Sequence, residues 1–113
     1  MLKKRRDAAM KVAERLWAAE DAIDAALARA AELNGTLVAA RSEADLSAMV
    51  VQDAFEVAAA TFAALAKARG EIIETHRRLT EAKNQVGLRA VGFGDQGKPG
   101  VAAEANPHLK AVA

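Results

Sequence analysis

Gly92-Phe93-Gly94-Asp95-Gln96-Gly97-Lys98 has the glycine and lysine spacing of a phosphate-cradling loop. In such a loop backbone N–H groups wrap phosphate oxygens and the lysine reaches the terminal phosphates. The same chemistry needs a Ser or Thr after the lysine to hold Mg²⁺, and a helix opening at that point. Pro99 and Gly100 stand there instead, so the segment is expected to bind no nucleotide, and no cofactor is assigned. His76 and His108 are the only imidazoles. A metal site on one helix needs a second ligand three or four residues away, and around His76 those positions hold Ile72, Ile73, Leu79 and Thr80. No metal site follows. His76 reads as a partly buried histidine at a helix contact, with a pH-sensitive contact as the sharper alternative.

Nucleophilic chemistry is poorly served. There is no Cys or Tyr, and the only serines, Ser42 and Ser47, are not spaced to meet a histidine and a carboxylate. Glu20 with Asp24 and Glu71 with Glu74 pair carboxylates along helical faces, where solvated charge is the ordinary outcome. No catalytic residue is assigned, and the chain reads as non-enzymatic.

The elements that must carry these residues are helical. Of the 59 apolar residues among 113, thirty are Ala, which favours helix but offers little area to bury. Residues 2–33 contain no Gly or Pro, and one line of apolar positions recurs by sevens as Leu2, Ala9, Leu16, Ile23 and Ala30. A companion line runs Val12, Ala19, Ala26, Leu33, giving the stripe of an amphipathic helix. Trp17 lies at the edge of that stripe, as an aromatic lid over it, with a binding anchor as the sharper alternative. Asn34-Gly35 is expected to end this helix over a turn at 34–36, because Gly readily takes the left-handed conformation. A second line, Leu37, Ala44, Val51, Ala58, Leu65, Ile72, Leu79, Val86, with Phe55 and Phe62 beside it, predicts a second helix over 37–88, continuous through Gly70 or, as the alternative, broken there with the remainder folded back as a third helix. Ser42-Glu43-Ala44-Asp45 reads as a capping box at which that helix could restart.

The fold class is therefore all-α: one domain, 1–88, forming a long antiparallel helical hairpin, Ala-rich and coiled-coil-like. An irregular Gly-rich tail is expected over 89–113, with Gly87, Gly92, Gly94, Gly97, Gly100, Pro99 and Pro107 excluding a continued helix. In overall plan the hairpin resembles the small secreted WXG-type proteins. Leu33-Asn34-Gly35 stands where their Trp-x-Gly turn would be, and the absence of Tyr removes their tail signal, so their function is not carried over.

A first helix ending near residue 33 leaves the second helix uncovered past Arg69-Gly70. Ile72, Ile73, His76, Leu79 and Val86 then form an overhang, expected to be the surface for self-association or a partner. Formal charge is nearly balanced, 16 basic against 15 acidic residues, so bulk electrostatics demands no nucleic acid or membrane. Locally, Lys3, Lys4, Arg5 and Arg6 with Arg77 and Arg78 make one end basic, a candidate anion contact and the basis of a nucleic-acid-associated alternative. Glu20, Asp21, Asp24, Glu43 and Asp45 would make the turn end acidic, which suits head-to-tail or antiparallel pairing of copies. Charges interrupt the segment after the basic start, so no signal peptide or transmembrane span is expected. The expectation is a homo-oligomer or larger protein assembly, cytoplasmic or in a bacteriophage virion.

Overall fold

Residues 2–88 are described by the computed structural model, and they form two helices. The first, α1, runs Leu2–Glu43, and the second, α2, runs Gln52–Gln85. The all-α hairpin follows from the two apolar lines, and α2 passes through Gly70 without interruption. The expected tail, the Gly92–Lys98 motif and His108 lie outside the described residues.

The turn is not at Asn34-Gly35. Helix α1 continues through both residues for a further two turns, and Gly35 does not take the left-handed conformation. A glycine inside a helix costs only about 1 kcal/mol relative to Ala, which the flanking helix-forming residues absorb. The chain reverses over residues 44–51 instead. Ser42-Glu43-Ala44-Asp45, which reads as the start of a helix, is the end of one. The Asp45 N–H donates to the Ser42 carbonyl and the Leu46 N–H to the Arg41 carbonyl, each at 3.1 Å, with Asp45 left-handed at φ 54°. This double bond with a left-handed residue between is the Schellman cap. Helix α2 closes the same way: Gly87 at φ 83° donates to Asn84, and Leu88 donates to Lys83.

The hairpin packs as two compact units. In the unit spanning residues 20–73, the later part of α1 lies against the earlier part of α2. Arg69 Nε donates to Asp24 Oδ1 at 2.8 Å there and fixes the register. The inward positions of α1 include Ile23, Leu27, Ala30, Asn34 and Leu37, alternating by four and three; those of α2 include Phe55, Ala58, Phe62, Leu65 and Ile72. All are half-buried; no residue from 20 to 73 is fully buried. Asn34 Oδ1 is shielded from solvent without a hydrogen-bond partner, a polar acceptor on an otherwise apolar seam.

The other unit joins residues 2–19 to residues 74–88. Its core is Ala13, Leu16, Trp17 and Leu88, together with a buried Lys83. Trp17 is 8% exposed, buried rather than a lid at the edge. Its size explains a second correction. With Trp17 buried, Ala13 rather than Val12 lies in the core, while Ala19 and Ala26 of the expected companion line are half-buried alongside Glu20, Leu27 and Asn34. Val12 and Leu33 are left exposed.

Candidate docking site at the hairpin loop

The expected overhang does not exist, because α1 is long enough for residues 2–19 to pack with residues 74–88. Ile72, His76 and Leu79 are half-buried in the hairpin's own seam, whereas Ile73 and Val86 remain exposed. Thr80 donates its hydroxyl to the His76 carbonyl at 3.1 Å. Arg77 and Arg78 are drawn together by Glu74. Arg77 Nη2 and Arg78 Nε both donate to Glu74 Oε1, at 2.6 and 2.9 Å, and Arg77 also pairs with Glu81. The hydrogen bond from Arg77, then that from Arg78, holds the Glu74 carboxyl down at about 2, and Glu74 in turn raises Arg77 above its ordinary value. Lys3, Lys4, Arg5 and Arg6 occupy the exposed first turn of α1, which contains no acidic residue. Glu20, Asp21 and Asp24 lie well inside α1 rather than at the turn, while Glu43 and Asp45 do flank it.

The feature that sequence reasoning missed is the loop itself. Val51 is left-handed at φ 64°, a conformation that crowds a β-branched side chain. Its carbonyl nevertheless accepts the first α-helical bond of α2, from Phe55 at 2.8 Å. Valine thus sits at the cap position with no side-chain oxygen to satisfy the first-turn donors. On the other side, Arg41 Nη1 reaches over the cap and donates to the Leu46 carbonyl at 2.9 Å. Between these two fixed ends lies a hollow of about 230 Å³, lined by Leu37, Val38, Arg41, Ala48, Val50, Val51, Gln52 and Phe55.

The lining residues Val38, Val50 and Val51 are open to water, and so are other apolar residues of the same loop. Met49 is 82% exposed, and Leu46, Val50, Val51 and Val38 are exposed as well. Flanking the lining residues in sequence are the exposed carboxylates Glu43, Asp45, Asp53 and Glu56, the last accepting from Gln52 Nε2 at 3.3 Å. A second apolar surface runs along α2, where residues 57–66 carry no charge. Val57 is 67% exposed, and Thr61 turns its hydroxyl back to the Val57 carbonyl at 3.1 Å.

Among the described residues no cluster of His, Asp or Glu could hold a metal ion, and no helix is long and apolar enough to cross a membrane. No family model matches the chain, and no curated protein or solved structure is significantly similar to it.

Proposed function

We propose that this chain is a non-enzymatic assembly protein that docks onto other protein chains through its hairpin loop. One observation carries the reading. From residue 20 to residue 73 nothing is fully buried, yet large apolar side chains stand in water around a preformed hollow. Each such side chain gains about 1.5–3 kcal/mol when it is covered, so contiguous exposure of this kind marks a contact surface. The backbone strain at Val51 fits the same reading, since strained conformations persist where surrounding structure holds a surface in shape.

The loop replaces the overhang as the proposed contact; Ile73 and Val86 contribute only as isolated exposed residues. A repeated helical component of a larger particle, a bacteriophage virion being one such setting, suits an Ala-rich hairpin with little core of its own. The nucleic-acid alternative has less support, because Arg77 and Arg78 are neutralised by Glu74 and Glu81, leaving the Lys3–Arg6 turn.

Sedimentation across a concentration series tests the proposal. The chain is expected to associate, and Met49→Asp to lower the association by at least roughly tenfold, as a charge does when placed in an apolar contact. A chain that stays monomeric throughout, or an assembly indifferent to Met49→Asp, overturns it.

A further inference from the structure

We infer that the occupant of the hollow is Leu2, presented on the basic first turn of α1 by a second copy of this chain. The inference rests on the docking reading above and names its partner.

Size comes first. At about 230 Å³ the hollow falls short of the roughly 300–1,000 Å³ usual for small-molecule sites, and its lining residues Val38, Val50 and Val51 are open to water. It suits a protruding aliphatic side chain. Leu2 is such a knob, 52% exposed at the beginning of α1.

Charge decides between a second copy and an unrelated chain. Over residues 41–56 the loop carries Glu43, Asp45, Asp53 and Glu56 against a single cation, Arg41, whose guanidinium already bonds the Leu46 carbonyl. An apolar hollow whose lining residues are flanked in sequence by four exposed carboxylates suits an apolar knob flanked by cations. Leu2 is followed at once by Lys3, Lys4, Arg5 and Arg6, all exposed, and the positive end of the α1 dipole adds to them. Four cations in the first turn work against the helix that carries them, so helix stability does not account for them. The acidic loop of a neighbouring copy does. The contact joins two different patches, so it is heterologous and repeats from copy to copy, closing into a ring or extending as a fibre.

The test uses the full chain and follows association by sedimentation, with helicity read by circular dichroism. Leu2→Asp alone, and Lys3, Lys4, Arg5 and Arg6 all changed to Glu, should each lower association by at least roughly tenfold, since like charges then face each other. Both variants place acid in the first turn of α1, which favours the helix, so lost association cannot be put down to lost folding. A loop variant combining Glu43→Lys, Asp53→Lys and Glu56→Lys should fail in the same way. Mixed in equal amounts, the two charge-reversed variants should associate again, because each then offers what the other lacks.

Rising salt should weaken the wild-type assembly. If the wild type assembles and Met49→Asp disrupts it while the Lys3–Arg6 reversal leaves it intact, the loop docks something other than this turn. That result sinks this inference and spares the docking reading. A mixture that remains dissociated also overturns it. So does a Lys3–Arg6 reversal that abolishes binding to random duplex DNA while the assembly persists. A wild type monomeric at every concentration overturns both readings together.

Discussion

Three glycines separate what a residue permits from what its position requires. Gly35 and Gly70 lie inside helices with ordinary negative φ, and a Cβ added at either meets nothing within 4 Å. Gly87 also has open space, but its φ of 83° is one that L side chains rarely adopt. Only Gly87 uses the freedom glycine provides. Gly35→Ala is therefore expected to stabilise the fold by about 0.5–1 kcal/mol, because it removes backbone entropy from the unfolded chain at no steric cost. Gly87→Ala should destabilise by about 1 kcal/mol, by forcing a Cβ into the left-handed cap of α2. Urea titrations followed by circular dichroism would show the two substitutions moving the midpoint in opposite directions. If Gly35→Ala lowered it instead, the uninterrupted helix through Asn34-Gly35 would be wrong.

At the scale of the helices, the sequence disclosed both apolar lines but misplaced the turn between them, and the reasons are specific. Asn34-Gly35 has the composition of a helix stop, whereas the true reversal over 44–51 contains no Gly or Pro. Asp45 takes the left-handed position that Gly usually signals, and Val51 takes the cap, which propensity would not select. The spacing of seven from Ala44 to Val51 to Ala58 is also kept across the loop, so periodicity could not register the break. The proposed docking loop was hidden for the same reason: Leu46, Met49, Val50 and Val51 read as more helix. The Glu74–Arg77–Arg78 cluster on α2, by contrast, follows directly from spacings of three and four. Its carboxyl is held near 2 in the fold, against 4.5 ordinarily. The unfolded chain then binds the proton more readily than the folded one does. The contribution of Glu74 is accordingly complete above pH 4.5 and is lost as pH falls from there towards 2. Thermal midpoints of wild type and Glu74→Gln should differ most at neutral pH and converge across that window. A gap that stays constant would mean that this carboxylate is not engaged by the arginines.

Across the whole molecule burial is uneven. Every fully buried side chain among the described residues belongs to the unit formed by residues 2–19 and 74–88, while residues 20–73 hold together through half-buried contacts alone. Asn34 adds a polar amide to that seam, its Oδ1 without a hydrogen-bond partner from the protein. Stability spread in this way gives local opening free energies that differ along one chain. The unit that carries the apolar loop is the less well anchored of the two. Covering that loop in an assembly would add most where the isolated chain has least.

The position of Trp17 has an optical consequence. It is the only indole in the chain, and there is no tyrosine, so near-ultraviolet emission comes from a single buried ring among residues 2–19 and 74–88. Far-ultraviolet ellipticity, in contrast, counts helix from end to end. The two signals therefore watch different parts of the same molecule, with no label needed. In a urea titration ellipticity should begin to fall before the emission of Trp17 shifts to the red, because residues 20–73 have no buried side chain to hold them. Superimposable curves would mean instead that the hairpin melts as one cooperative body, with the indole speaking for all of it.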